Sequence, residues 1–592
     1  MANGFNFSMR EGGLVAVQPS DLSDVLLVIG SALEGPDGIV LPVSSVEDAI
    51  RTFGPVTFDS NYPPVSGASL GDFSGNTLVR DIETAFNAGC NRILAVRVGG
   101  AYATATISTL SGSPVPAEWQ NRAVLRARGL FKGAQYNGAR ITLNANNSGA
   151  VSVSIHQSSA RGGNLTAIEG TAPLPANTNL RALIDLVNSH PRNLSLMLEI
   201  NTSALPSGRT VEDALDLPLS YFVSANGSVQ GQLTGGRYGV RQEYANSPSY
   251  KDIYTALTDQ TNGIFYTIDG VEADYVLLSA LYADDAVKDD AGTVDPGVSV
   301  LTEFGRFIHR LSATYPCHGI IGCQPLVASS AAELRRLVQT AYLPGADANT
   351  SKGLADVKNK RIRFGYFLTF GADAEGVATG VDFGRNVSVV AGIPAILSNS
   401  ALKRYVDTAH AAYAGMLTLL APQEIAAFRR PSGIVSLTGL KLQRDLLDTI
   451  SIGIPYADGV GGALVVIERN TALSNEVMVI NDATAAKRNS VFSYLSNVRI
   501  ANIVTRNVRQ ALRPFLGKPN TADTITAMGT VVRGVLDRLA EVQALLGGEG
   551  IGYNFSIVPA GTGLQMTQVR VLIELRPAAF IRSISIEVTV RP

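Results

Sequence analysis

Residues able to do chemistry are sparse in this chain, and their surroundings decide what each one offers. Gly67-Ala68-Ser69-Leu70-Gly71 has the Gly-x-Ser-x-Gly spacing of a nucleophile elbow. That device needs a strand before the serine and a helix after it, so that the turn holds the hydroxyl out. Here the pentapeptide follows Tyr62-Pro63-Pro64 in a Pro/Gly/Ser-rich loop, and Ser69 is not expected to act as a nucleophile. Cys317, His318 and Cys323 resemble half of a metal site, but zinc needs three or four ligands. The other histidines, His156, His190, His309 and His410, are scattered, so a buried, strand-borne cysteine pair is the reading. Gly517-Lys518-Pro519 ends a helical pattern instead of opening one and is no phosphate cradle. Asp284-Asp285 and Asp289-Asp290 sit in a polar stretch and read as solvated. These residues imply no enzyme, no cofactor and no bound metal.

One segment departs from the even charge of the rest. Between Lys487 and Lys518 there are seven basic residues and no acidic one. Arg499, Arg506, Arg509 and Arg513 are spaced by seven, three and four, which places them on one helical face. Ile500, Val504, Val508, Ala511, Leu512 and Phe515 form the opposite face. The reading is a helix with a core side and a cationic side. Like charges on one stripe repel by a few tenths of a kcal/mol per close pair, which an anionic partner would relieve. Aromatic residues interleaved for base stacking are missing, so a protein surface fits at least as well as nucleic acid.

These residues are carried by a chain of 592 residues, enough for about three to four domains. A hydrophobic fraction of 46% with 17% charged residues suits packed domains and excludes a disordered chain. The formal net charge of −2 gives no bulk attraction to nucleic acid or an anionic membrane. Cys90, Cys317 and Cys323 make an odd count, which fits a reducing cytoplasm better than a disulfide framework. The opening Met-Ala-Asn-Gly-Phe-Asn-Phe lacks the marks of a signal peptide, and no apolar run is long enough to span a membrane. Synthesis in the cytoplasm is therefore expected.

The elements alternate in an α/β pattern. Strands are predicted at 24–30 and 92–98, with helices at 46–53 and 77–88 between them. Short alternating segments, such as 139–144 and 151–156, follow among Gly, Asn and Ser clusters. The α/β pattern then resumes with strands at 275–281, 319–326 and 363–370 and helices at 298–314 and 331–342. The apolar run 409–422 is read as a buried helix. Further on come strands at 462–468 and 476–481, and one long helix over 490–515. A helix capped by Thr521 follows and runs to Leu546, with Ile525, Met528, Val532, Val535, Leu539, Val542 and Leu546 as its apolar stripe. Strands are predicted at 553–559, 565–576 and 581–590. The fold class is α/β, mixed with α+β, and multidomain. The expected division is an extended arm at 1–24, an α/β middle domain at 25–99 plus 246–408, and a β-rich insertion at 100–245. A domain at 409–578 and an arm strand at 579–592 complete it. In the last strand Ile584, Ile586, Val588 and Val590 alternate with polar residues, and Leu14, Val15 and Val17 form an apolar stretch at the other end. Such strands complete their own sheet or add to a neighbour's.

Several segments together resemble the contractile bacteriophage tail sheath family. They are the strand 24–30, the Gly-Pro turn at 35–36, Val43 to Gly54 (VSSVEDAIRTFG), and Ala88 to Val98. Toward the other end they are Val466-Ile467-Glu468-Arg469-Asn470-Thr471, Ile480-Asn481-Asp482, Val498 to Leu516, and Leu516-Gly517-Lys518-Pro519-Asn520-Thr521. A Pro-Gly-Val-Tyr-like opening, common in that family, is replaced by Gly12-Gly13-Leu14-Val15. The resemblance implies a structural subunit that stacks as six-fold rings in a helix around a tail tube and contracts to drive the tube through a host envelope. It implies a tube-proximal domain built from both chain ends and outward insertions. Arms carrying Leu14, Val15, Val17, Ile584, Ile586, Val588 and Val590 would add strands to neighbours, and Arg499, Arg506, Arg509 and Arg513 would face the tube. Implied partners are the chain itself, a tail tube protein, and baseplate and tail terminator proteins, without nucleic-acid contact or membrane insertion. The implied location is the virion tail, assembled in the host cytoplasm. The rival readings are the sheath of a bacteriocin, injection or secretion system, another virion protein, and a hydrolase using Ser69.

Overall fold

The computed structural model describes residues 24–56 and 76–578, apart from 237–249, 288–299, 343–382 and several shorter internal stretches. The Gly67–Gly71 motif, Asp289-Asp290, the predicted strand 363–370 and both arm segments (1–23 and 579–592) lie outside the described residues.

A six-stranded sheet forms the middle of the chain. Its order is Val387–Val390, His318–Gly322, Tyr275–Leu278, Leu26–Gly30, Ile93–Arg97 and Val40–Val43. The first five strands are parallel and the last is antiparallel. Aliphatic runs such as Leu26–Gly30 become central strands because both faces are covered. Leu27, Ile29, Val276, Leu278 and Ile321 enter one core with the helix Val300–Thr314. Leu26, Val28, Leu277 and Ile320 enter the other with the helices Thr77–Asn87 and His410–Leu417. Val40–Val43 was not read as a strand from sequence. Pro42 argues against one, and the sheet tolerates it because this strand lies at the edge.

Local chemistry fixes the helix starts. Ser45 accepts from the Asp48 amide (3.1 Å) and begins Val46–Phe53 at the predicted residue. Asn76 caps Thr77–Asn87 while its amide group donates to the carbonyls of Phe53 (2.9 Å) and Gly54 (3.0 Å), tying the two helices together. The apolar run from 409 contains the helix His410–Leu417, buried on every side.

The β-rich region leaves the sheet through Gly99 and Gly100, both at positive φ (89° and 86°). It holds a three-stranded sheet, Thr104–Ser108, Leu125–Gly129 and Leu196–Ile200, and a four-stranded one ordered Ser228–Gln232, Arg140–Ala145, Val151–Ser158, Asn164–Ile168. Trp119, Leu143, Val153, Leu183 and Leu198 belong to a core of its own.

Three predictions near the other end need correction. The helix expected over 490–515 is a single turn, Val491–Ser493, then Leu495–Leu512, then a second turn, Arg513–Phe515. Tyr494 is extended because Asp482 receives the next helix: its carboxylate accepts from the Ser496 amide (3.0 Å) and its carbonyl from the Leu495 amide (3.2 Å). Thr521 does cap the following helix, but Ala522–Glu541 stops before Gln543, at φ 60°. The Leu546 amide then donates to Arg576 (3.0 Å), so this stretch turns back and Leu546 stays exposed. The buried stripe is Met528, Val532, Leu536 and Leu539. The strand expected over 462–468 pairs as a ladder only at Ile467–Asn470, while Val465 bridges to Val390 at the edge of the central sheet. The strands Tyr553–Ala560 and Gln568–Leu575 form an antiparallel hairpin, called here the terminal hairpin. Among the described residues no helix is long and apolar enough to cross a membrane.

Candidate functional site: an arginine clasp and an open hairpin

The arginine stripe is turned inward over most of its length. Arg499 is 4% exposed and donates to the carbonyls of Glu424 (2.9 Å) and Leu420, just past the helix His410–Leu417. Arg509 donates to the carbonyls of Ala313 and Thr314 (both 3.2 Å), the last residues of the helix Val300–Thr314. Helix ends leave carbonyls without intrahelical partners and carry partial negative charge, so arginine suits them. Between these two, Asn502 donates to the Cys317 carbonyl (3.3 Å) and Arg506 pairs with the carboxylate of Asp274. Tyr315 lies under the Arg506 guanidinium, 4.9 Å from ring centre to carbon. The other Asp274 oxygen accepts from the Val25 amide (2.7 Å), at the entry to the central strand. Arg499 and Arg506 therefore do not present an outward cationic face. Loop carbonyls hold Arg499 and the carboxylate of Asp274 holds Arg506, all within this same chain. Arg513 lies on the exposed end of the segment, near Lys518 stacked on Phe515 at 4.9 Å.

The terminal hairpin packs one face inward, with Tyr553, Phe555, Ile557, Val571, Ile573 and Leu575 joining Val532, Leu536, Val504 and Val508. Asn554, Ser556, Val558, Arg570, Leu572 and Glu574 face outward. Its strands pair from Tyr553↔Leu575 to Ala560↔Gln568. Among the described residues neither outer edge pairs with a further strand.

Parallel sheets of this kind bind ligands at the carboxyl ends of strands, where the strand order reverses. That place lies between Gly30 and Leu278, and the chain fills it. A Cβ at Gly30 would come within 2.9 Å of the Leu78 Cα. Around it Arg80 pairs with Asp81 (3.0 Å) and Asp407 (2.6 Å), His410 Nε2 meets Asp81 at 3.2 Å, and the Tyr282 hydroxyl donates to Asp407 (2.5 Å). The four charged residues are at most 1% exposed. Burial works to raise Asp81, but Arg80 and His410 outweigh it and hold the carboxyl far below the usual range. Burial works to lower His410, and Asp81 reverses this and raises it. Sequence reading missed this cluster. The signal was Arg80-Asp81 set inside an apolar helix, Leu78-Val79 before and Ile82 after.

Asp285 is a correction of the same kind. It is buried, accepting from the Tyr282 amide (2.7 Å) and the Gln324 side chain (2.8 Å), while Asp284 accepts from the Gln324 amide (2.7 Å). Cys317 and Cys323 flank the strand His318–Gly322 and are buried free thiols, with burial pushing Cys317 up to about 12. Burial lowers His318 to about 3, and its Nε2 lies 2.9 Å from the Ser388 hydroxyl. Among the described residues no group of three or more His, Cys, Asp or Glu is placed to hold a metal ion. A cleft of about 800 Å³ opens beside Gly100, lined by Asp37, Lys132, Lys251 and Asp259, with Lys132 paired to Asp37 (2.6 Å).

No protein-family model and no curated protein matches the chain. Among solved structures it is similar to a sheath tail protein from Listeria innocua, at 11% identity and a TM-score of 0.44, over 94% of this chain and 92% of that one. It is similar to a sheath tail protein from Desulfitobacterium hafniense at 12% identity and a TM-score of 0.43, over 96% and 100%. A chain of the anti-feeding prophage helical sheath in its contracted state gives 12% identity and a TM-score of 0.40, over 100% and 99%.

Proposed function

We propose that this chain is a structural subunit of a contractile tail sheath, polymerising through exchanged strands around a tail tube and acting mechanically, without catalysis or a cofactor. The observation that carries the reading is the terminal hairpin. It is a two-stranded sheet whose outer edges pair with no further strand among the described residues, anchored on one face by two helices. An open edge of paired length is a template for strand addition. The same chain holds two alternating or apolar segments of strand length, around Leu14-Val15-Val17 and Ile584-Ile586-Val588-Val590, to supply such strands. The segments that resemble sheath proteins in sequence include the Thr521 cap and the helix Leu495–Leu512, on which the hairpin rests. The insertion, with a core of its own, supports a phage tail over a minimal injection sheath. The proposed setting is the virion tail, built in the host cytoplasm, with baseplate and terminator proteins at its ends. Tube contact is proposed for the exposed end of the stripe, Arg513 with Lys518; Arg499 and Arg506 are engaged internally.

The test is negative-stain electron microscopy of the recombinant chain, with and without a candidate tube protein, beside a chain lacking 581–592. Long striated hollow cylinders from the full chain and folded monomers from the shortened one are expected. Normal polymers from the shortened chain would remove the strand-exchange basis. Persistent monomers or closed rings from the full chain in both samples would remove the sheath reading.

A further inference from the structure

Among the described residues, none of 101–236 enters the cores of the central sheet, and the core around Trp119 takes no residue from outside that range. The covalent link between the two, among the described residues, is Gly99-Gly100, at φ 89° and 86°. Two successive glycines change their backbone angles at little steric cost, so rotation is absorbed there. Beside this link opens the cleft of about 800 Å³, to which the sheet region contributes Asp37, Val98 and Lys251 and the insertion Ala101 and Lys132. Polar groups bridge the junction. Arg97, the last residue of the strand Ile93–Arg97, is fully buried. One end of its guanidinium donates to the Gly35 carbonyl (2.7 Å) and the other to the Lys132 carbonyl (2.6 Å). The Lys132 ammonium returns across the junction to Asp37 (2.6 Å). The Gly38 amide donates to the Arg97 carbonyl (3.0 Å), so the turn 35–38 is tied to the same strand end. Lys132 is thus gripped through both its main chain and its side chain. Within the insertion its ammonium lies 5.9 Å from the centre of the Tyr102 ring, which also carries the Arg128 guanidinium at 4.5 Å.

We propose that residues 101–236 form a hinged body that turns about Gly99-Gly100, braced in the orientation of this structure by Arg97 and Lys132 and released to swing across the cleft when that brace opens. Two bodies without a shared hydrophobic core move relative to one another unless specific bonds stop them. Here those bonds are charge-assisted, which makes each one strong for its size. They differ in their access to water. Arg97 is sealed inside the junction, whereas Lys132 and Asp37 are 22% and 21% exposed. Water competes for the second pair and not for the first, so Arg97 carries the larger part of the brace. The hinge concerns the insertion alone and does not depend on polymerisation.

The experiment is pulsed electron paramagnetic resonance on the unassembled full chain. Spin labels are placed on Glu47→Cys in the helix Val46–Phe53 and on Ser207→Cys in the insertion, both exposed positions. The native thiols of Cys90, Cys317 and Cys323 are buried, so the labels attach to the two introduced ones. The parent chain should give one narrow distance distribution. Arg97→Met should widen it roughly twofold or more, and Lys132→Met should widen it less. Circular dichroism checks that each variant keeps the parent's secondary structure. A broad distribution in the parent overturns the proposal, because the bonds then hold nothing. A parent-like width in folded Arg97→Met overturns it as well. If Arg97→Met does not fold, Lys132→Met decides: a widened distribution supports the brace and a parent-like one overturns it.

Discussion

Arg80, Asp81, Asp407 and His410 balance two positive against two negative charges in a place without water access. Such a cluster adds little net stability, but removing one member strands its partner in the interior. Asp407→Ala should cost about 3–5 kcal/mol by urea unfolding, because Arg80 loses a bond of 2.6 Å with no solvent to replace it. A loss near zero would show that the interior admits water there. The two buried histidines predict opposite pH effects. His318, lowered to about 3, stays neutral in the folded chain, whereas its unfolded counterpart charges near pH 6.5. Its contribution is complete above that unfolded value and is lost as pH falls from there toward about 3. His410, raised by Asp81, contributes fully below its unfolded value and loses that contribution as pH rises through its folded one. His318→Gln should flatten the acid limb of stability against pH, and His410→Gln the limb that falls as pH rises above the unfolded histidine value. Urea midpoints across a pH series check both, and limbs identical to wild type would count against the assignment.

At the scale of elements, the helices His410–Leu417 and Thr77–Asn87 pack closely in the second core. A Cβ at Gly415 would stand 2.6 Å from the Ala85 carbonyl oxygen and 2.8 Å from the Ala88 Cβ. Gly415→Ala should destabilise by about 1–3 kcal/mol through overpacking, measured by thermal or urea unfolding; a neutral result would mean the helices separate at no cost. Elements such as Val46–Phe53 and the start of Ala522–Glu541 were legible in the sequence because their signals are local, a capping Ser45 or Thr521 ahead of an apolar stripe. Val40–Val43 was not, since only its place at the sheet edge excuses Pro42. The arginine stripe was legible as a periodicity, but its partners are carbonyls 75 to 196 residues away and the still more distant Asp274 carboxylate, and helix periodicity carries no information about those. The Arg80 cluster was likewise hidden, because a charge becomes informative only when its burial is known.

For the whole molecule, the separate core around Trp119, Leu143 and Leu198 predicts that residues 101–236 fold alone. Expressed by itself, this segment should give one cooperative thermal transition; a gradual melt would show that it leans on the sheet. The strand order adds a consequence in time. Leu26–Gly30 sits at the sheet's middle, between Ile93–Arg97 and Tyr275–Leu278. At about 5–20 residues per second on the ribosome, its second neighbour emerges roughly 10 to 50 seconds after it does. Throughout that interval an apolar strand stands half-clothed while the insertion completes itself first. The terminal hairpin is translated later still. If the hairpin is the proposed joining surface, it is exposed on the nascent chain only after the central sheet is complete, which would delay association on the polysome.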